Sequence, residues 1–502
     1  MAIADPHAPE AAPETFASLD PATGQEVARF PVHDAHVVAE AVDRARIAAR
    51  WWADLGFGGR KRRLLAWKSL LAQRIDELAE LIRRETGKPL DDAALEIIVA
   101  IDHIDWAAKH AERVLRRRSV RPSLMSANQH ASLGYQPYGV IGVIGPWNYP
   151  VLTPMGSLAY ALAAGNAVVF KPSELTPAVG AAMVDYFSEA VPEQPVLQLV
   201  TGPGSTGDAL VRSGVDKVAF TGSGRTGRRI MAACAERLTP VLMECGGKDA
   251  VIVCADADLP AAADAIVFGA MSNAGQTCLG VERVYVAREV ADELIGLVEA
   301  KALALDPGSH LGASFGPATL AAQLDVVQAH VHDALERGGQ AIVGGRDAVR
   351  AGQAHPVVLV DVPEESLAVL EETFGPTVTI ARVRDDDDAI ARTNASSYGL
   401  GSAVFTRSRR RGQDIAERLQ CGMTSINAVW AFAFAPALPF GGVGESGFGR
   451  IHGADGLREF TRSKSITRQR FALPVALASF DRKPETTRQL VRVVQLLHGR
   501  HA

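Results

Sequence analysis

From Gly139 onward, short β-branched runs alternate with helical stretches. Val140–Ile144, Ala167–Phe170, Val196–Val200, Lys217–Thr221 and Val241–Glu244 are separated by roughly 15 to 25 residues each. Connections of that length are too long for hairpins and suit helical crossovers, so the pattern predicts a parallel sheet wound with helices. After Gly246-Gly247 a second series repeats the theme at Ala250–Val253, Glu282–Val286, Ala341–Val343, Val357–Val360, Thr377–Arg382, Gly401–Phe405 and Met423–Ile426. The predicted fold class is therefore α/β, with two parallel-sheet units. No sequence repeat at a fixed period accompanies them.

The rest of the chain reads differently. The first fourteen residues carry Pro6, Pro9 and Pro13 and too few apolar groups to pack, so residues 1–15 are expected to be a loose tail, with order beginning near Phe16. Between Asp34 and Lys109 apolar residues recur at three and four, as in Leu64, Trp67, Leu71, Ile75, Leu78 and Ile82, which predicts amphipathic helices broken at Gly87-Lys88-Pro89. Val114 to Gln136 reads as a hairpin outside the main sheets, turning at Pro122 to Asn128, and Arg116, Arg117 and Arg118 as a solvated strand face. Thr461–Arg470 reads as strand, and Thr486–Leu497 as an amphipathic helix.

Composition narrows the classes of function. The chain has 502 residues, room for about three folded units, and 52 Lys and Arg against 57 Asp and Glu leave a net charge of −5. A weakly acidic total without a long basic block offers no electrostatic footprint for nucleic acid. No apolar run approaches the ~20 residues that span a bilayer, and no secretory signal is visible, so the expected compartment is the cytoplasm. Cys234, Cys245, Cys254, Cys278 and Cys421 show neither a disulfide framework nor a metal-ligand spacing. No metal is expected.

Three segments have chemistry in them. Gly222-Ser223-Gly224-Arg225-Thr226-Gly227 follows a predicted strand and opens a helix, the setting of a dinucleotide-binding loop. On that motif alone Glu244, twenty residues beyond Gly224, would hold a ribose hydroxyl. Asn273 to Cys278 places a cysteine among small polar residues, where a base, a cation or helix N–H groups would have to hold a thiolate. Pro146-Trp147-Asn148-Tyr149-Pro150 brackets an amide with prolines just after a strand, so that Asn148 either completes a turn or faces a developing oxyanion.

Taken with Lys-Pro-Ser-Glu at 171–174, Glu-Cys-Gly-Gly-Lys at 244–248, Glu-Glu-Thr-Phe-Gly-Pro at 371–376 and Pro-Phe-Gly-Gly-Val-Gly at 439–444, these segments make the chain closely resemble the aldehyde dehydrogenase superfamily from about Phe16 to Arg470. The resemblance implies oxidation of an aldehyde to the acid, with Cys278 as nucleophile, Asn148 as oxyanion donor and Glu244 as general base, which displaces the ribose reading of Glu244. It implies a Rossmann-like site for NAD, or NADP, in which Lys171 and Glu174 face the adenosine ribose and Gly222 and Ser223 a phosphate. Trp147 and Gly204 would line the cofactor cleft, and Glu372 and Phe374 the nicotinamide ribose. A Glu174 carboxylate would repel a 2′-phosphate and so prefers NAD, while Arg225 is the feature most able to reverse that. The implied organisation is a cofactor-binding domain from 16–112 and 139–246 with 447–460, and a catalytic thiol domain at 247–446. An oligomerisation arm at 113–138 and 461–470 implies a homodimer or homotetramer, and 471–502 is an extension.

The chain also departs from the family pattern. The second acid that many members carry after Gly447-Phe448-Gly449-Arg450 is replaced by Ile451 and His452, and His452 is the one candidate to substitute for it in a proton relay. The overall look resembles members labelled succinic-semialdehyde dehydrogenases, yet the position of their substrate-binding arginine is Gly156. Trp430, Phe432 and Phe434 instead suggest an apolar entrance, hence an apolar aliphatic or aromatic aldehyde, with core packing as the other use of these rings. For the C-terminal helix, packing on a neighbouring subunit ranks ahead of attachment to lipid.

Overall fold

Two wound sheets carry the molecule, seen in a computed structural model that describes residues 14–123, 126–350, 352–472 and 479–499. The first has the strand order Gly447–Phe448, Val241–Cys245, Lys217–Gly222, Val140–Ile144, Ala167–Lys171, Leu197–Leu199. Of its five pairings four are parallel, and the fifth, at the Gly447–Phe448 edge, runs antiparallel to Val241–Cys245. Val140–Ile144 and Ala167–Lys171 are buried almost throughout, as near-continuous apolar strands covered on both faces must be. From Val140–Ile144 the chain first winds to one side, then returns to lay Lys217–Gly222 on the other. A crevice therefore opens at the carboxyl ends of these two strands, the place where open α/β sheets bind ligands.

The second sheet is ordered Gln340–Val343, Val357–Val360, Thr377–Val383, Val281–Ala287, Asp249–Val253, Gly401–Phe405, Met423–Ile426. It too is parallel inside, but Gln340–Val343 pairs antiparallel with Val357–Val360. The connection between those two strands holds only the small ladder Val349–Arg350 with Gln353–Ala354, with no room for a crossover helix, so the chain turns straight back.

The helices before Gly139 are Ala35–Asp54, Gly56–Gln73, Ile75–Thr86 and Leu90–Leu115. Asp34 caps the first by accepting from the His36 and Val37 backbone N–H groups. Leu152–Ala164, which follows Pro146 to Pro150, is built from small and apolar residues buried nearly all round, and it stops at Gly165, whose φ of 106° suits a glycine. An antiparallel pair, Thr15–Leu19 with Glu26–Pro31, precedes the helices and had no strand pattern in the sequence reading.

Described residues of 14–114 and 137–462 form one unit, and those of 115–136 and 463–499 a second. The second contains most of a three-stranded sheet, ordered Thr461–Gln469, Gln129–Pro137, Arg118–Val120, and the helix Pro484–His498. Arg116, Arg117 and Arg118 are exposed. Leu124 and Met125 of the expected turn lie outside the described residues.

Candidate active site

Cys278 follows a loop that is strained and pinned. Asn273 and Ala274 have φ of 52° and 55°, an uncommon region for side-chain-bearing residues that persists only when the surroundings impose it. The imposition is visible: the Asn273 Nδ2 donates to the Asn148 carbonyl at 3.1 Å and the Gln276 carbonyl at 3.2 Å. Gln276 Nε2 donates to the Asn273 carbonyl, and Gln276 Oε1 accepts from the Thr319 N–H, both at 2.9 Å.

The strand Val140–Ile144 delivers Asn148 to the same place. Its Nδ2 donates to the Gln276 carbonyl at 3.0 Å, and neighbouring Tyr149 meets the Thr277 hydroxyl at 3.0 Å, so the two loops are stitched together. A buried ion pair holds this loop from behind: Lys88 Nζ lies 2.6 Å from Glu96 Oε2 and donates to the Asn148 carbonyl at 2.9 Å. Glu96 Oε1 accepts from the Val151 and Leu152 N–H groups at 2.8 and 3.1 Å. Sequence reading treated Gly87-Lys88-Pro89 only as a break. The available signal was a Lys and a Glu inside an otherwise apolar periodic face.

Glu244 is the penultimate residue of the strand Val241–Cys245 and is 2 % exposed, with neither carboxyl oxygen bonded to any described group. Burial, reinforced by Asp249, pushes its carboxyl up to about 8. Cys278 lines the same cavity, and burial next to Glu244, Glu372 and Asp249 pushes its thiol well above its ordinary range, with the Leu279 N–H opposing. The surroundings thus supply acids rather than the cation considered from the sequence, and the resting group is a thiol. The Glu372 loop is fixed by the buried Lys248–Glu282 pair, whose Glu282 carboxylate accepts from the Thr373 and Phe374 N–H groups at 2.8 to 3.0 Å.

Of the residues assigned to the cofactor, Lys171 and Gly222 end strands of the first sheet, Trp147, Glu174, Gly204 and Ser223 lie just beyond its strand ends, and Glu372 and Phe374 lie on the loop before Thr377–Val383. Lys171 is 3 % exposed and lies 3.6 Å from half-exposed Glu174. Ser223 caps the helix Gly224–Ala235, and the Gly222 Cα stands too close to the Phe220 ring for a Cβ, which would fall at 2.7 Å. Gly204 opens the helix Gly204–Arg212 with nothing within 4 Å of where a Cβ would lie. The Trp147 and Phe374 rings meet edge to face at 5.6 Å. Glu372 Oε1 accepts from the Gly247 N–H at 2.9 Å, and burial beside Glu282 pushes its carboxyl up to about 8. Arg225 is exposed. No direct bond joins Gly204 or Ser223 to the other members of this set.

A cavity of about 950 Å³ including its mouth leads to Cys278 and Glu244. Its walls are mainly apolar, with Leu95, Val99, Leu152, Phe268, Trp430, Phe434 and Phe440 among them. Of the three rings expected at the entrance, Phe432 is a correction: it is buried against Phe440 instead. His452 also belongs to the wall. It stacks on His103 at 3.8 Å, and burial pushes its imidazole well below its ordinary value, so it stays neutral at pH 7. At Gly156 an added Cβ would lie 2.7 Å from both His452 Nε2 and Ile451 Cδ1. Nothing larger than glycine fits there. The one lysine in the lining, Lys88, is already paired with Glu96.

Comparison with known proteins gives a consistent picture. The model of the family described as "Aldehyde dehydrogenase family" matches residues 8–466. The chain is 38 % identical over 463 residues to a 4,4'-diapolycopene aldehyde oxidase of Methylomonas sp, covering 92 % of this chain and 87 % of that one. It is 35 % identical over 486 residues to a protein of Mycolicibacterium smegmatis (strain ATCC 700084 / mc(2)155) that bears the provisional name succinate-semialdehyde dehydrogenase NADP(+), covering 95 % and 94 %. Among solved structures, PnpE from Pseudomonas sp. WBC-3 in complex with nicotinamide adenine dinucleotide superposes with a TM-score of 0.87 at 31 % identity, covering 92 % of this chain and 96 % of that chain.

Proposed function

This chain belongs to the aldehyde dehydrogenase family and oxidises an aldehyde to its acid with NAD(P), and on that premise we propose that its substrates are apolar aliphatic or aromatic aldehydes. The observation that carries the proposal is the cavity wall: mainly apolar, without an unpaired cation among the described residues, and with His452 filling the space beside Gly156. Burying a carboxylate there without a partner is expensive, whereas each buried CH₂ contributes about 0.8 kcal/mol.

The strand-end residues fit a dinucleotide. Buried Lys171 beside Glu174 is assigned to the adenosine ribose, the Ser223-capped helix start to a phosphate, and Gly204 to the lining of the cleft, with Glu174 favouring a ribose hydroxyl over a 2′-phosphate. Bound there, the nicotinamide supplies the hydride acceptor. The remaining chemistry is assigned to the chain's own groups. The Cys278 thiol gives up its proton to water as its sulfur attacks the carbonyl carbon, and the Asn148 amide, one of whose N–H groups donates to the Gln276 carbonyl, is assigned to donate the other to the resulting oxyanion. Loss of hydride from that carbon leaves a thioester on Cys278. Glu244, buried without a hydrogen-bond partner and close to neutral in affinity, takes the proton from the water that hydrolyses it.

The test is nicotinamide reduction with long-chain, aromatic and succinic semialdehydes, each with NAD and with NADP, using Cys278→Ala as control. An apolar aldehyde is expected to exceed succinic semialdehyde in kcat/KM by about a hundredfold, the cost of roughly 3 kcal/mol for an unpaired carboxylate. Higher kcat/KM for succinic semialdehyde would refute the substrate assignment and favour the name borne by the Mycolicibacterium relative. Full turnover by Cys278→Ala would remove the mechanism.

A further inference from the structure

Charge is distributed very unevenly along this chain. In residues 115–136 and 463–502, Arg116, Arg117, Arg118 and Arg121 precede a stretch from Lys464 to Arg500 with eight more Lys and Arg, and the only acids in either piece are Asp481 and Glu485. Twelve cations face two acids there, while the chain as a whole carries −5. The described residues of these two pieces make up the second structural unit.

The same unit carries the helix Pro484–His498, none of whose residues is buried. Leu490, Val493, Val494 and Leu497 recur at three and four and so share one face. Val494 is 44 % and Leu497 57 % exposed. Arg488 and Arg492, four residues apart, lie on the opposite side, with Glu485 paired to Arg488 at 2.7 Å. An exposed apolar face backed by arginines on the opposite side, on a strongly basic unit, has the pattern of a helix lying in a membrane interface.

We propose that Pro484–His498 is a docking surface for a bilayer containing anionic phospholipid, with Val494 and Leu497 entering the acyl boundary and the unit's cations meeting the headgroups. Sequence pattern alone ranks a neighbouring subunit first; the charge of the unit, twelve cations to two acids, reverses that order in favour of an anionic surface. The use of such docking rests on the substrate proposal, because apolar aldehydes partition into bilayers. The docking itself does not depend on it.

The test is co-sedimentation of the full chain with vesicles of phosphatidylglycerol and phosphatidylcholine, and of phosphatidylcholine alone, at 0.1 and 0.5 M NaCl. Anionic vesicles are expected to retain the protein at least about tenfold better than neutral ones, with the difference shrinking at high salt. Val494→Asp/Leu497→Asp is expected to lose about tenfold in vesicle binding while keeping the parent's mass by light scattering and its turnover of a short, water-soluble aldehyde. Absence of binding, equal binding to neutral vesicles, or a double variant that binds like the parent would each overturn the proposal. So would a change of mass in the double variant, which would make the face an interface between copies, or retention of a DNA duplex without retention of vesicles. If apolar aldehydes prove poor substrates while vesicle binding follows the expected pattern, the substrate proposal fails and this one stands.

Discussion

Substituting Glu244 by Gln should show what its burial does. With its carboxyl at about 8, only about one molecule in ten carries the ionised base at pH 7, and one in a hundred at pH 6. Hydrolysis of the thioester should therefore climb about tenfold per pH unit from 6 to 7.5 and level off above about 8.5. Stopped-flow nicotinamide absorbance separates the steps, the burst reporting formation of the thioester and the steady state its hydrolysis. In Glu244→Gln the steady-state rate should drop by about 10² to 10⁴ and lose its slope.

A second readout comes from linkage. Below pH 4.5 folded and unfolded chains both hold the Glu244 proton; between 4.5 and about 8 only the folded chain does, so stability falls as pH rises across that window. At pH 7 the cost is about 1.4 kcal/mol for each of 2.5 pH units, or roughly 3 kcal/mol. Glu244→Gln, neutral in both states, should melt higher than the parent at pH 7 and alike at pH 4.5, measured without cofactor. A hydrolysis rate flat from pH 6 to 9, or a melting difference independent of pH, would refute the reasoning.

Three further outcomes are expected. Lys88→Met strands the Glu96 carboxylate in the interior and should cost about 3 to 5 kcal/mol by urea unfolding, part of it regained in Lys88→Met/Glu96→Gln; a loss below 1 kcal/mol would mean that Glu96 is not paired as the geometry shows. Burial pushes His103 down to about 4, so between that value and 6.5 the unfolded chain holds the extra proton and stability falls as pH drops; His103→Phe should flatten this acid limb by about 3 kcal/mol, and an unchanged limb would exclude His103 as its source. Glu174→Gln removes the carboxylate beside Lys171 and should raise kcat/KM with NADP about tenfold relative to NAD, whereas an unaltered ratio would place cofactor choice elsewhere.

Much of the architecture was legible because local periodicity answers to burial. Strands covered on both faces must be continuous apolar runs, and Val140–Ile144, Val357–Val360, Gly401–Phe405 and Met423–Ile426 have the bounds that their β-branched runs predict. The antiparallel edges were not legible, since pairing direction depends on how far the chain must travel, as the short link to Val357–Val360 shows. Nor was the first hairpin, Thr15–Leu19 with Glu26–Pro31, whose strands are too exposed to leave an apolar alternation.

The sequence by itself determined the family, the wound sheets and the short list of reactive groups, because motif residues and strand periods are properties of neighbours along the chain. Only the tertiary structure decided their chemical state. Glu244 and Cys278 hold their protons because folding buries them, and for Cys278 because it brings the acids Glu244 and Glu372, distant in the chain, beside the thiol. The same holds for the space at Gly156: His452, 296 residues away in the chain, fills the volume a side chain there would need. Electrostatic energies and excluded volume depend on distance in space, and that distance is set by folding rather than by position in the sequence.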